Sequence, residues 1–190
     1  MTDPEMLPTT VGPWLRRSRE TVYANPWIEV VHDEVDRPDG SPGIYGVVHF
    51  RAQAVGVVAV GEDGRLLLVG QHRYTLDEYS WEIPEGGVED AEPLLEGARR
   101  ELREETGYEA GDWRSLGRIT VSNSVTDERG ALYVATGLHA GEASPEPTEA
   151  LAVRWATLDE VLAEIASGAI HDIITIAGVT RYALELARGR

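Results

Sequence analysis

The sequence predicts an α+β fold in which a mixed β-sheet is packed with helices and is preceded by a small N-terminal antiparallel β arm. Three observations support this prediction: segments of strand period within the first 51 residues, more apolar strand-like segments after them, and helical segments bounded by cap residues. We place the arm at residues 1–51 and the main domain at residues 52–190. A chain of 190 residues is long enough for one such domain with a small appendage.

The arm is predicted as a hairpin. Residues 1 to about 20 are polar and rich in proline, and the clearest alternating segments follow at residues 27–31 and 44–50. Between them, residues 37–43 are dense in Pro, Gly, Asp and Ser, which favours a turn.

The main domain begins with a more apolar pair of strands. Residues 54–60 and 65–69 flank the Asp63–Gly64 turn and are predicted to form a second, more buried hairpin. Further strands are predicted at residues 81–83, 115–121, 131–138 and 151–156, with a loop rich in Pro and Glu at residues 141–149.

Three helices are predicted from their boundary residues. The first covers residues 93–106, with proline in its first turn and Gly107 just past its end. A capping box at residues 157–160 opens a second helix, which Gly168 closes. The last helix is predicted over residues 172–186.

The composition excludes several classes of function. The chain has 33 Asp and Glu against 17 Arg and no Lys, and its formal net charge is −16. Nucleic-acid binding and anionic-membrane binding are disfavoured, because both need a basic surface. The absence of Cys excludes disulfides, Cys-ligated metal centres and a thiol nucleophile. The sequence has no bilayer-spanning run and no signal-peptide pattern, so we expect a soluble, cytoplasmic protein.

The helix predicted over residues 93–106 carries an acidic stripe. Glu101, Glu104 and Glu105 are three and four residues apart and therefore project from one side of the helix. Like charges at this spacing repel by about 0.2–0.5 kcal/mol per pair, which a divalent cation relieves. Gly97, one turn earlier, is expected to leave room for a cation and for phosphate oxygens. Hard oxygen donors favour Mg²⁺ or Mn²⁺, and the alternative is a solvated acidic face.

The residues around this helix resemble a known signature. Gly86, Glu92 and the run from Arg100 to Tyr108 have the identities and spacing of a complete Nudix box, which marks hydrolases of nucleoside diphosphates linked to another moiety. The one departure is Tyr108, where the family more often has an aliphatic residue. The resemblance implies the Nudix fold, a mixed β-sheet sandwiched between helices.

Segments outside the box resemble the ADP-ribose and nucleotide-sugar pyrophosphatase branch of this family. They are Gln71 to Tyr74, Trp81 to Gly87 and the β arm. In that branch the arm commonly exchanges between subunits, so the resemblance implies a homodimer. It also implies that water attacks one phosphorus of a pyrophosphate, which would convert ADP-ribose to AMP and ribose 5-phosphate.

The resemblance assigns the expected metal site. Glu101 and Glu105 are the expected ligands of Mg²⁺, with Mn²⁺ as the alternative ion. Glu104 is expected as a further ligand or beside them, and the backbone carbonyl of Glu85 is expected to complete the site. Glu104 and Glu105 are therefore also candidate catalytic residues.

The general base is expected in the loop before the last strand, which offers Glu142, Glu146 and Glu149. Glu149 best matches the family position that reaches the metals, and Glu146 is the reserve candidate. The expected substrate-binding residues are Arg73, Glu82 and Glu128.

Three functions stay open. The leading one is metal-dependent hydrolysis of a nucleoside diphosphate sugar, with ADP-ribose as the first candidate. The second is hydrolysis of another Nudix substrate, such as GDP-mannose, a dinucleotide polyphosphate or an oxidised nucleoside triphosphate. Asn123 and Ser124 favour this wider choice, because ADP-ribose hydrolases often have Pro and Gly there. The third is a sensor that binds ADP-ribose without cleaving it.

Overall fold

The structure is a computed structural model that describes residues 8–141 and 151–189. Its strands and helices, in chain order, are β1 Thr9–Val11, β2 Trp14–Ala24, β3 Ile28–Asp36, β4 Pro42–Phe50, β5 Ala52–Ala59, β6 Leu66–Arg73, β7 Glu78–Glu82, β8 Glu85–Glu89, α1 Leu94–Thr106, β9 Tyr108–Thr120, β10 Arg129–Ala140, β11 Ala152–Ala156, α2 Leu158–Ser167 and α3 Ile173–Ala187. The chain divides into two compact units.

The first unit holds the N-terminal residues to Ala52 together with the segment Thr120–Glu128. Its sheet has the order β1-β2-β3-β4 and is antiparallel. The predicted hairpin is confirmed, since β3 and β4 pair from Ile28 opposite Phe50 to Asp36 opposite Pro42. The sequence therefore located the turn of this hairpin correctly.

Strands β1 and β2 were missed by the sequence prediction, which expected strands only after residue 20. Irregularities in the β2–β3 register at residues 16–18 and 21–23 interrupt the alternation along β2. A charged residue of β2 is also paired within the sheet. The Arg19 guanidinium donates two hydrogen bonds of 2.7 Å to the buried Asp33 carboxylate of β3. A broken period and an internal ion pair made this strand resemble a polar loop.

The second unit contains two sheets, of order β8-β5-β10-β9 and β11-β6-β7. Strand β5 runs parallel to β10 in the first of them, and β6 pairs antiparallel with β11 and β7 in the second, so parallel and antiparallel pairs occur together as predicted. The predicted second hairpin is wrong in part. Strands β5 and β6 share one bridge, Val60 to Leu66, and then separate into the two different sheets.

Alternating residues of β5 face two different helical layers. Val55, Val57 and Ala59 belong to a core cluster with residues of α1, whereas Val58 belongs to a cluster with residues of α2 and α3. A strand buried on both faces is a continuous apolar run, as residues 54–60 are. The strands therefore lie between α1 on one side and α2 with α3 on the other.

The three helices match their predicted boundaries closely. Gly107 and Gly168 follow α1 and α2 with left-handed φ angles of 71° and 80°. Thr157 and Glu160 form the predicted capping box, and the Asp172 side chain accepts a hydrogen bond from the Thr175 N–H at the start of α3. Within the described ranges, no helix is both long and apolar enough to cross a membrane.

Candidate active site

Helix α1 presents the acidic stripe at the edge of its buried face. Ala98 and Leu102 are fully buried against β5 and its neighbours, and they fix the rotation of the helix. Glu105 is buried beside them, at 9% exposure, whereas Glu101 and Glu104 are half-buried. The predicted shared stripe therefore exists, but its members differ in their access to solvent.

Glu101 and Glu105 both meet the backbone at the start of β8. The Glu105 carboxylate accepts a hydrogen bond of 2.9 Å from the Glu85 N–H. The Glu101 carboxyl group lies directly over Gly86, where any Cβ would overlap it. Any side chain at position 86 would therefore displace the Glu101 carboxyl group, and glycine leaves that group in place.

Arg100 ties the acidic residues of the box together. Its Nη1 lies 2.6 Å from Glu101 Oε1 and 3.0 Å from Glu104 Oε2, and its Nε and Nη2 donate to Glu92. Its Nη2 also donates to the Gly87 carbonyl at 2.9 Å. The hydrogen bonds with Glu92 and the charge of Glu101 raise the pKa of Arg100 above its ordinary value. Arg100 is thus a cation held among the Glu92, Glu101 and Glu104 carboxylates.

The expectation for Gly97 is wrong. A Cβ at this position would overlap the Val88 side chain of β8, and Gly97 is buried. The missing side chain serves the close packing of α1 on β8, so it leaves no room for a cation or phosphate. The sequence shows the absence of a side chain but cannot show which neighbour occupies the space.

A second charged network lies around Arg73. The guanidinium forms a bidentate ion pair with Glu82, with a distance of 2.9 Å from Nε to Oε1, and its Nη2 is 2.7 Å from Glu85 Oε1. Gln71 donates to Glu82 at 3.4 Å. Glu82 is 2% exposed, so this predicted substrate residue lies inside the protein beside Arg73.

Burial dominates the electrostatics of this network. Burial, together with the charges of Asp172 and Glu82, raises the pKa of Glu85 well above its ordinary value, and Arg73 opposes the shift. Burial alone would lower the pKa of Arg73, but its hydrogen bonds with Glu82 and the charge of Glu85 outweigh that effect and raise it. Arg73 therefore stays charged while two carboxylates share it.

Asp172 is the site residue that sequence reasoning missed. Oxygen atoms of Glu82, Glu85 and Asp172 all lie within 4.8 Å of one another. Among the described residues this is the one such group of three, so Glu101, Glu104 and Glu105 do not gather at that distance. The sequence marked Asp172 as the start of the last helix, and only the fold brings that start to β7 and β8.

The remaining predicted residues lie elsewhere. Glu142, Glu146 and Glu149 fall outside the described residues. Glu128 belongs to the first unit, where its carbonyl accepts a hydrogen bond from the Val121 N–H at 3.1 Å. The preceding Asp127 is anchored to the arm by its carboxylate, which accepts from the Phe50 N–H at 3.0 Å and lies 2.7 Å from His49 Nδ1.

The donor set beside Gly86 suits a hard divalent cation. Glu101 and Glu105 supply carboxylate oxygens, Glu85 supplies backbone next to them, and Gly86 keeps the space between helix and strand free of a side chain. Oxygen donors of this kind are those that Mg²⁺ and Mn²⁺ prefer. The residues present therefore fit such an ion, with Glu104 held nearby by Arg100.

Two relatives and one solved structure are similar to this chain along most of its length. The ADP-ribose pyrophosphatase of Mycobacterium tuberculosis is 34% identical over 166 residues, covering 85% of this chain and 79% of the relative. A CMP-5'-(N-acetyl-N-hydroxy-3-aminopropyl)phosphonate hydrolase of Streptomyces rubellomurinus is 32% identical over 155 residues, covering 82% and 75%. The fold also matches the crystal structure of an ADP compounds hydrolase, with a TM-score of 0.85 at 19% identity over 95% of this chain and 98% of that one.

Family models match both parts of the chain. The model of the nucleoside diphosphate sugar hydrolase N-terminal domain matches residues 14–48, within the arm. The model of the NUDIX domain matches residues 50–174, which contain the box and the acidic stripe of α1. On this evidence the chain belongs to the Nudix hydrolase family.

Proposed function

We propose that this protein hydrolyses the pyrophosphate bond of a nucleoside diphosphate sugar, with ADP-ribose as the leading substrate. The observation that carries the proposal is the meeting of Glu101 and Glu105 of the box with the Glu85–Gly86 backbone. The similarity to an ADP-ribose pyrophosphatase and to a nucleoside diphosphate sugar hydrolase N-terminal domain supports the substrate class. The arm at residues 1–51 and the hydrolase domain at residues 52–190 are proposed as the two functional parts.

In the proposed reaction, a water oxygen forms a bond to one phosphorus of the pyrophosphate. The bond from that phosphorus to the bridging oxygen breaks, and the bridging oxygen leaves with the other phosphoryl group. For ADP-ribose the products are AMP and ribose 5-phosphate. A bound divalent cation supplies Lewis-acid stabilisation and lowers the pKa of water.

The roles of the chain's own residues follow from their positions. Glu101, Glu105 and the Glu85 carbonyl would hold Mg²⁺, or Mn²⁺ in its place, and Glu104 would lie beside it or join it. Arg100 keeps the Glu101 and Glu104 carboxylates in position. These roles explain how a chain of net charge −16 binds an anionic substrate.

Proton removal and substrate contact are assigned to further residues of the chain. Glu149 is proposed as the general base that takes the proton of the attacking water, with Glu146 as the reserve. Arg73, Glu82 and Glu128 are proposed as substrate-binding residues. Arg73 is about one-third exposed and keeps part of its guanidinium accessible while Glu82 and Glu85 hold it.

We also propose that the protein is a cytoplasmic homodimer. The arm supports the dimer, because it exposes large apolar side chains, including Ile44 on β4 at 63% and Trp27, just before β3, at 73% exposure. An apolar surface of this kind is typical of a protein interface. The exchange of arms between two copies is the form of dimer that the sequence resemblance implies.

A substrate panel tests the proposed activity. The purified protein is incubated with Mg²⁺ and ADP-ribose, GDP-mannose, UDP-glucose, a CMP phosphonate ester, diadenosine polyphosphates or nucleoside triphosphates, and products are separated by chromatography. We expect AMP and ribose 5-phosphate to form fastest. Faster cleavage of another compound would change the substrate, and tight binding of ADP-ribose without any cleavage would identify a sensor instead.

A further inference from the structure

Three carboxylates meet inside the second unit, apart from the box glutamates of α1. They come from the end of β7, the start of β8 and the residue that caps α3: Glu82, Glu85 and Asp172. Their oxygen atoms lie within 4.8 Å of one another. The Glu82 and Glu85 side chains are 3% and 9% exposed, so little water reaches these two charges.

The charge of Arg73 does not balance the negative charge of this cluster. Arg73 supplies one positive charge against three carboxylates, and both oxygens of Glu82 are already held by it. It reaches only Oε1 of Glu85. Glu85 Oε2 is buried and has no hydrogen-bond partner within residues 8–141 and 151–189. A buried oxygen without a partner costs about 1–3 kcal/mol, and more when it is charged.

We propose that Glu82, Glu85 and Asp172 bind a divalent cation at a site distinct from the one formed by the box glutamates. When all three carboxylates are ionised, they and the one guanidinium carry a net charge of about −2, which one such ion neutralises. The oxygen spacing suits the ion as well. Oxygens on opposite sides of Ca²⁺ lie about 4.6–5.2 Å apart, and those of the smaller Mg²⁺ or Mn²⁺ about 4.2 Å apart.

An ion at this site would link the start of α3 to the segment from Glu82 to Glu85. Thr175, one turn into α3, accepts a hydrogen bond of 3.0 Å from the Ile83 N–H between Glu82 and Glu85. An ion shared by Asp172 and Glu85 adds a second link between the start of α3 and this segment. The backbone of Glu85 and Gly86 also lies beside Glu101. The ion would therefore fix the position of this backbone without contacting the bond that is cleaved.

Binding of Mn²⁺, measured by electron paramagnetic resonance without nucleotide, tests the proposal. The box is first neutralised with Glu101→Gln, Glu104→Gln and Glu105→Gln together. Asp172→Asn is then added, because asparagine caps a helix as well as aspartate does and removes only the charge. The matched control is Asp159→Asn, which removes an exposed charge from the first turn of α2.

We expect one Mn²⁺ site to remain in the neutralised background and to be displaced by Ca²⁺. Asp172→Asn should weaken it at least tenfold, and Asp159→Asn should leave it unchanged. Loss of all binding in the neutralised background, or equal binding with and without Asp172, would overturn the proposal.

If the variant with the three box substitutions does not fold, Asp172→Asn and Asp159→Asn are compared in an otherwise unaltered chain. Circular dichroism reports folding, and we expect Asp172→Asn to bind one Mn²⁺ fewer per chain than Asp159→Asn. Equal stoichiometry would overturn the proposal here too. Because metal binding is read without substrate, failure of this proposal and failure of the proposed hydrolysis are distinguishable.

Discussion

Glu105 is the acidic residue of the box whose carboxylate is most buried and most constrained. Its Oε2 accepts a hydrogen bond of 2.9 Å from the Glu85 N–H, and this contact fixes the direction of the other carboxylate oxygen. A carboxylate held in this way pays little conformational entropy when it binds a cation. Local charge and local geometry together make it the residue on which turnover should depend most.

Glu105→Gln should leave the fold intact and lower kcat at least about a hundredfold, or about 2.7 kcal/mol of transition-state stabilisation. Glutamine still accepts the Glu85 N–H but brings no charge to the cation. The measurement is kcat at saturating Mg²⁺, with the exposed Glu96→Gln on the same helix as control. Turnover near that of the unaltered protein would remove Glu105 from the metal site.

Gly86→Ala should displace the Glu101 carboxylate, because the new Cβ occupies its place. We expect Mg²⁺ affinity, followed by activity as a function of Mg²⁺ concentration, to fall at least tenfold. Gly111→Ala is the control, since the nearest atom to the new Cβ would be the Gly137 carbonyl oxygen at 3.8 Å, an ordinary contact. Equal Mg²⁺ dependence of the two variants would show that Glu101 binds no ion.

At the scale of elements, a buried hydroxyl group links α3 to the segment between β7 and β8. Thr175 is fully buried and accepts the Ile83 N–H, while Ile174 and Val179 belong to the core cluster that α3 shares with β5. The same turn of α3 carries Asp172. Apolar packing and one buried hydrogen bond therefore set where the helix begins relative to β7 and β8.

Thr175→Val should lower the free energy of unfolding by about 1–3 kcal/mol, because valine matches the shape but leaves the Ile83 N–H without its acceptor. Thr175→Ser keeps the hydroxyl and should recover the hydrogen-bond part of this loss. Urea unfolding followed by circular dichroism measures both. A valine variant as stable as the unaltered protein would show that water replaces the hydroxyl.

We propose that the segment before β11 supplies the general base. Glu149→Gln should reduce kcat at least about a hundredfold, the lower end of the usual range for loss of acid–base catalysis, with little change in Mg²⁺ dependence. Rates are measured with Glu142→Gln as the control. If Glu146→Gln alone reduces the rate, the reserve residue is the base and the assignment to Glu149 is wrong.

At the scale of the whole molecule, the arm exposes apolar surface that one chain does not cover. Trp27 and Ile44 are more than half exposed, and Val22 and Tyr23 are 56% and 55% exposed. Val22, Tyr23 and Ile44 lie on strands of the arm's sheet, and Trp27 lies in the connection between β2 and β3. We propose that a second copy of the chain covers this surface.

Light scattering coupled to size exclusion should give twice the mass of one chain. Trp27→Glu should raise the dissociation constant of the dimer at least tenfold, because it places a charge in an apolar contact. Tyr74→Glu, at a position 94% exposed in the second unit, is the control. A monomeric mass for the unaltered protein at micromolar concentration would contradict the dimer.

The sequence alone determined the helices, most strands and the acidic stripe of α1. Caps, turns and apolar periodicity are local signals, and the spacing of Glu101, Glu104 and Glu105 fixes their common side once a helix is assumed. The same local rules failed for β2, where register irregularities break the alternation, and for the hairpin of β5 and β6, which separate into two sheets.

Only the tertiary structure decided what surrounds each of these residues. It filled the space at Gly97 with Val88, placed Glu101 over Gly86, and brought Asp172 to Glu82 and Glu85 from about 90 residues further along the chain. Such contacts depend on how helices and strands pack against one another, and no local pattern encodes that. The sequence thus specified which chemical groups are available, and packing over long range specified which of them meet.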